Sequence, residues 1–267
     1  MATKKATQAA DISVMEVERG RIDFMILGHS PLICNAMSAK IMQELLLPRG
    51  RKTQAERQSS LKHDPRQEFV DSMYMARNPD SLTRIVMKAT SFKNALRNAA
   101  IDMPGSTKAE VGRLSYVVGD EVEIFGLPQL MMSVVRNSDM NKTPDVRTRA
   151  IIPEWACKIS VEFTKPIIKE QAIINLLSAA GMTNGIGDWR PQKGSGNYGR
   201  FGLVGENDKT FMRIVKEGGK KAQDAAISDP LLYDSETEQL IVWFDAEANK
   251  RGFKPTFRIG AQPGEAA

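Results

Sequence analysis

The chain has 267 residues, of which 42% are hydrophobic and 26% charged, and its formal net charge is +5. This composition predicts a sizeable core in one compact domain with a large insertion, or in two small lobes that share a core. No run of about 18 apolar residues occurs, and no apolar segment follows Lys4 and Lys5, so the sequence gives no support for a membrane span or for export. It predicts a cytoplasmic protein.

The two cysteines, Cys34 and Cys157, lie among apolar residues and have neither disulfide-framework nor metal-ligand spacing. We therefore expect a reducing compartment, no metal and no cofactor. The modest positive charge suits a polyanionic partner but does not identify one by itself.

The N-terminal third begins with a polar stretch, residues 1–18, that predicts a flexible arm. The apolar run at 22–27 predicts a strand, and residues 35–47 have helical spacing. Residues 49–67 form a basic insertion with almost no large apolar side chain, including Arg51, Lys52 and Arg57. Two interpretations of this insertion stay open, a plain surface loop and a basic finger that grips a partner.

The middle of the chain combines helical and strand signals. Residues 91–100 predict a helix capped by Thr90 or Ser91, with Lys93 and Arg97 one turn apart on a polar face. Segments 116–118, 122–125, 130–135 and 156–163 predict an antiparallel sheet. A second helix is predicted over 167–180, after Pro166 and before Gly181. This order predicts an α+β fold, a ferredoxin-like or RRM-like antiparallel sheet with helices on one face.

Residues 181–202 are rich in glycine and also carry cations and aromatic rings. Glycine allows a backbone to approach a ligand closely, cations meet phosphates, and rings such as those of Trp189 and Tyr198 stack on bases. The segment therefore predicts a cradle for nucleic acid, with a ligand-free flexible loop as the alternative.

Three other readings of the glycines fail on context. Gly194, Gly196 and Gly199 match G-x-G-x-x-G, but a dinucleotide site needs a strand before and a helix after, and here a helix precedes and a strand follows. Protein-kinase motifs do not accompany the glycines, and no G-K-[ST] follows a correctly spaced glycine.

Three segments resemble the RAMP superfamily, which includes the RNA-binding backbone subunits of CRISPR effector complexes. Residues 87–99, MKATSFKNALRNA, resemble its helix start, and Lys93 and Arg97 take its basic positions. Residues 185–201 are similar to its C-terminal glycine-rich loop. Residues 146–163 resemble a strand pair in which Arg147 and Arg149 take the arginine positions.

The resemblance implies a modified RRM-like fold over about 20–205 and copies that stack head to tail along a single strand. The sequence departs from it at Asn94, where the family prefers glycine, and at 29–40, which is not glycine-rich. The aspartate that RNA-cleaving members carry after the first strand is missing, which argues against a nuclease. The chain also looks like proteins encoded by tailed bacteriophages, which would place it in the host cytoplasm.

Four regions follow from these patterns: the arm at 1–18, a core at 19–205, an extension packed on the core at 206–260, and a flexible tail at 261–267. The main hypothesis is non-enzymatic binding of single-stranded RNA or DNA, with RNA favoured, by a homo-oligomer or filament and without a membrane. The alternatives are a self-assembling structural or phage assembly protein and, less favoured, a nuclease, because His29 and His63 lie in no triad or metal motif. The residues predicted to contact nucleic acid are Arg51, Lys52, Arg57, Ser91, Lys93, Arg97, Arg147, Arg149, Trp189, Arg190, Lys193, Gly194, Ser195, Gly196, Tyr198, Gly199 and Arg200.

Overall fold

The computed structural model describes residues 14–37, 46, 62–136, 143–193 and 196–253, which form ten strands and seven helices. The strands are β1 (Glu18–Gly28), β2 (Leu32–Ile33), β3 (Tyr74–Met75), β4 (Ile85–Lys88), β5 (Ser115–Val117), β6 (Glu121–Phe125), β7 (Gln129–Arg136), β8 (Pro144–Ile152), β9 (Ala156–Lys165) and β10 (Phe201–Val204). The helices are α1 (Pro65–Asp71), α2 (Ala89–Ala99), α3 (Lys108–Leu114), α4 (Glu170–Thr183), α5 (Lys209–Glu217), α6 (Lys220–Ser228) and α7 (Ser235–Lys250).

Two sheets organise the fold. The large sheet has the order β10-β1-β9-β6-β4-β3, with β5 beside β9, and the small sheet has the order β2-β8-β7. The strand pairs described in both sheets are antiparallel, so the predicted α+β class with an antiparallel sheet is confirmed.

Alternation along the longest strands explains how the large sheet forms. In β9, Cys157, Ile159 and Val161 are buried in the main core, whereas Lys158 and Ser160 between them point to the opposite face. Successive side chains of a strand leave on opposite faces, so this pattern fixes which face of β9 packs inward.

The main core lies between one face of the large sheet and the helices α2 and α4. Phe92 and Leu96 of α2 and Ile173 and Leu177 of α4 are buried in it. The small sheet joins the same core through residues of its strands. The buried residues that the small sheet contributes are Leu32 of β2, Leu130 and Met132 of β7, and Ala150 and Ile152 of β8.

A further helix, α5, covers part of the opposite face of the large sheet. Its buried residues Phe211 and Ile214 lie one turn apart and pack with Phe125 and Ala156. The described helices therefore pack on both faces of the large sheet, whereas the sequence predicted helices on one face.

Two predicted helix boundaries were wrong. Helix α2 begins at Ala89, directly after β4, and its N-cap is Lys88 instead of Thr90 or Ser91. Helix α4 begins at Glu170 and runs through Gly181 to Thr183. A Cβ atom at Gly181 would collide with the carbonyl oxygen of Phe201, so this glycine serves close packing against β10 and does not end the helix.

Other expectations had mixed outcomes. Residues 146–163 do form two strands, but β8 and β9 belong to different sheets and are not paired with each other. The C-terminal extension, described over 206–253, forms α5, α6 and α7. Most of the predicted helix at 35–47, residues 49–61 of the insertion and the tail at 261–267 lie outside the described residues. No helix in the described part of the chain has the length and apolar character needed to cross a membrane.

Candidate nucleic-acid interface

The glycine-rich segment follows α4 and leads into β10, as the sequence predicted. Its backbone is anchored within the chain: Ile186 N–H donates to the carbonyl of Gly199 (3.0 Å), and Gly199 N–H donates to that of Pro31 (2.8 Å). Asp188 N–H donates to the carbonyl of Ile33 in β2 (3.0 Å). The bond to Ile33 holds the loop against the small sheet, and all three amides are already hydrogen-bonded within the chain.

The described glycines of the loop make close approaches to the protein itself. Gly187 and Gly199 have φ values of 80° and 68°, which favour glycine. A Cβ atom at Gly187 would lie 2.5 Å from the carbonyl oxygen of Ile33, and one at Gly199 would collide with that of Ile186. A Cβ atom at Gly196 would likewise collide with the carbonyl oxygen of Trp189. The glycines thus allow the loop to pack closely against itself and against β2. Contact of these glycines with phosphate stays a prediction.

Two aromatic rings of the loop lie on the small sheet. Trp189 and Tyr198 have ring centroids 6.1 Å apart, and both pack against Ile33, Met131 and Ile151. Trp189 has a φ of 47°, a left-handed conformation that is rare for a bulky residue and that the surrounding contacts must maintain.

The two predicted arginines of β8 lie on the same face of the small sheet as these rings. Arg147 and Arg149 alternate with the buried Thr148, and in the strand register Arg149 lies opposite Met131. The Nε atom of Arg149 lies 4.0 Å from Oδ2 of Asp188, which immediately precedes Trp189. We call Arg147, Arg149, Trp189 and Tyr198 the β8–loop surface.

The remaining loop cations surround this surface in different ways. Arg190 is half-buried and donates from Nη1 to the carbonyl of Gly187 (2.8 Å), which supports the turn that presents Trp189. Lys193 and Arg200 are exposed. Gly194 and Ser195 of the loop, and Arg51, Lys52 and Arg57 of the basic insertion, lie outside the described residues.

The cations of α2 lie elsewhere. Lys93 Nζ is 5.8 Å from the centroid of the Tyr116 ring on β5, and Arg97 lies against Gly112 of α3. Ser91 is half-buried in the first turn of α2. The cleft that Lys93 lines is formed by β1, β5, β9 and the end of α3, and none of the described residues of the glycine-rich loop lines it. The structure thus divides the predicted residues between two surfaces.

Sequence reasoning missed Arg19, Arg113 and Tyr116, which line the same cleft as Lys93. Tyr116 lies in a predicted strand between the buried Ser115 and Val117, so alternation alone could have placed its ring on the outward face. The two arginines had no comparable signal, because their positions depend on elements distant in sequence.

The buried thiols and the histidines have structural surroundings. Burial raises the pKa of the Cys34 thiol to about 12 and also raises that of Cys157.

The imidazole of His63 lies between two carboxylates. Its Nδ1 atom is 2.9 Å from Oε1 of Glu68, and its Nε2 atom is 3.4 Å from Oδ1 of Asp145. The hydrogen bond from Lys62 is the main reason why the pKa of Asp145 lies below its ordinary value. Over the described residues, no group of three or more His, Cys, Asp or Glu side chains could hold a metal ion.

Comparisons with solved structures find 39 similar chains, among them the following two. The first is a chain in the cryo-EM structure of the Type III-B Cmr-beta bound to cognate target RNA, at 11% identity and a TM-score of 0.38. That match covers 70% of this chain and 59% of the other, so the present chain spans less than two thirds of it. The second is Cmr6 from Pyrococcus furiosus, at 12% identity and a TM-score of 0.28, with 70% of this chain and 99% of the other covered. No protein-family model and no curated protein matches the chain.

Proposed function

We propose that the chain binds single-stranded nucleic acid, with RNA favoured, and that the β8–loop surface is a principal contact. The observation that carries the proposal is the convergence of Arg149 with Trp189 and Tyr198, from segments that are separate in sequence. Guanidinium groups bind phosphate, and aromatic side chains stack on unpaired bases at about 1–3 kcal/mol per base. Both chemistries lie side by side on this surface.

A single strand fits this arrangement better than a duplex. The bases of a duplex are stacked on one another, and only unpaired bases can be splayed onto protein rings. RNA is favoured over DNA because the sequence segments around Lys93, Arg147 and Gly199 resemble RNA-binding subunits. Head-to-tail assembly of copies along the strand is part of the same proposal.

We propose that binding is not accompanied by catalysis. Nucleophilic chemistry by cysteine requires a thiolate, and full burial raises the pKa of both thiols. His29 lies against Gly202, where an added Cβ atom would come within 2.5 Å of the imidazole. These surroundings favour packing roles over a nucleophile and base.

A second candidate function is self-assembly without nucleic acid, as in a structural or phage assembly protein. The observation in its favour is the exposed apolar surface of α7, where Trp243 is 67% exposed and Val242 is also exposed. Exposed patches of this kind are typical of protein contacts. Oligomers that persist after nuclease treatment, and that Trp243→Ser disrupts, would favour this candidate.

The decisive experiment measures affinity for single-stranded RNA, single-stranded DNA and duplex at two salt concentrations. We expect tight, salt-dependent binding of the single strands. In the variant Arg147→Ala/Arg149→Ala, each lost phosphate contact should make the negative slope of log affinity against log salt less steep by about 0.7. Trp189→Phe, which keeps an aromatic ring, should weaken binding less than Trp189→Ala.

The matched control is Lys250→Ala/Arg251→Ala, which removes the same charge from the end of α7. It should leave the affinity and the salt slope nearly unchanged. The proposal fails if the wild-type protein binds none of these ligands at low salt, or if the two double variants lose affinity equally.

A further inference from the structure

The cleft that Lys93 lines lies at the edge of the large sheet, where β5 pairs with β9. Its volume is about 390 Å³, and it is bordered by the beginning of β1, the end of β9, α2 and the junction of α3 with β5. Among its lining residues are the cations Arg19, Lys93 and Arg113 and the acids Glu18 and Glu162. The cleft is separate from the β8–loop surface, with which it shares no lining residue.

Tyr116 presents an aromatic ring on this cleft from a rigid position. Ser115 and Val117 on either side are buried, and the strand register sets Tyr116 opposite Glu162 of β9. The backbone pairing fixes the direction of the ring, because reversing it would expose the two buried neighbours. Tyr116 is 49% exposed, so about half of its surface stays accessible to a ligand in the cleft.

The charge around the ring is incompletely balanced. Arg19 is paired with Glu162 at 3.7 Å. Arg113 forms no ion pair with any residue that the structure describes, and the same is true of Lys93, whose ammonium group lies over the Tyr116 ring. These two cations face one remaining acid, Glu18, which also forms no ion pair with the described residues, so the cleft keeps a net positive charge next to an exposed aromatic face. A further cation, Arg97, follows Lys93 by one turn of α2 and lies beside Gly112, the residue before Arg113.

We infer that this cleft is a nucleotide subsite in which a base stacks on Tyr116 while Lys93 and Arg113 bind the adjacent phosphates. A base on the ring replaces the ammonium contact, and the flexible four-carbon side chain of Lys93 lets the ammonium group move to a phosphate. A phosphate-only surface would not need the ring, and an apolar pocket would not need the cations. The subsite rests on the proposed function, since the bound strand supplies the nucleotide.

The test separates the base from the phosphate. Affinity is measured for an oligouridine RNA and for a phosphodiester strand of the same length without bases. Tyr116→Leu should weaken oligouridine binding about 5- to 100-fold, the loss of one stacked base, and leave the abasic strand unaffected. Tyr116→Phe should bind both strands as the wild type does. Lys93→Ala/Arg113→Ala should weaken both strands by the same factor.

The control is Trp243→Leu, which removes an exposed ring from α7 and should change neither affinity. Unchanged thermal midpoints for the Tyr116 variants exclude misfolding as the cause. The subsite is overturned if Tyr116→Leu weakens both strands equally or neither of them. If oligouridine binding then still depends on Arg147 and Arg149, the proposed function survives without the subsite, whereas a wild-type protein that binds neither strand contradicts both.

Discussion

Gln223 of α6 offers the sharpest test of what holds the large sheet together. It is fully buried, and its Oε1 accepts hydrogen bonds from the N–H groups of Arg84 (2.7 Å) and Ile85 (2.9 Å) at the start of β4. Its Nε2 donates to the carbonyl oxygens of Ile124 (2.7 Å), Gly126 (3.0 Å) and Gly218 (3.1 Å). One side chain therefore joins α6 to both β4 and β6.

The replacement Gln223→Leu keeps the volume but removes these bonds. The amides of Arg84 and Ile85 would lose the acceptor that Oε1 supplies, and each unsatisfied buried donor costs about 1–3 kcal/mol. The carbonyl of Gly218 keeps its bond from Gly126 N–H, so it contributes little. We expect a loss of about 4 kcal/mol in the free energy of unfolding, and a fall of the thermal midpoint of about 8 °C.

Urea unfolding followed by circular dichroism measures this loss, with the slope against urea expected to stay unchanged. Gln171→Leu is the matched control, because Gln171 is exposed and its side chain bonds, among the described residues, only to Asn175. This variant should change stability by less than about 0.5 kcal/mol. A loss below about 1 kcal/mol for Gln223→Leu would refute the argument that these amides depend on Gln223.

Three further outcomes follow from single residues. Gly199→Ala should destabilise the protein by about 2–4 kcal/mol in urea unfolding, because the alanine would adopt a left-handed φ and its Cβ atom would collide with the backbone of Ile186. The control Gly205→Ala should be nearly neutral, because a Cβ atom there meets open space. Equal effects would contradict the packing role of the loop glycines. The hydrogen bond from Lys62 is the main cause of the lowered pKa of Asp145, so the Lys62–Asp145 pair stabilises the folded protein above the ordinary carboxyl pKa. This stability is lost as the pH falls through the lower pKa of the folded state. Asp145→Asn should therefore reduce the pH dependence of the free energy of unfolding in this acid range by up to about 1 kcal/mol. Cys34, with its raised pKa and full burial, should react with a thiol reagent at pH 8 only as fast as the protein opens, and rapid labelling of the native protein would count against the burial.

Part of the candidate site was predictable because its signals are local. The order of α4, glycine-rich loop and β10 follows from helical spacing, glycines and a short apolar run, all within one stretch of chain. The residue types of Trp189, Arg147 and Arg149 also indicated contact with nucleic acid before their positions were known. Glycine content, however, does not reveal which backbone makes the close approach, and Gly199 approaches Ile186 of its own loop.

The amino-acid sequence by itself determined the fold class, since alternation and helical periodicity show which residues of each element face inward. Only the tertiary structure decided that β8 and β9 separate into two sheets, that Trp189 lies on the small sheet beside Arg149, and that Lys93 meets Tyr116 and not the loop. These juxtapositions join segments far apart in the chain, and they depend on the free energy of burying the whole core at once. Nothing near Gln223 in the sequence distinguishes it from the exposed Gln171, because its hydrogen-bonding partners are set by how α6 packs against β4 and β6.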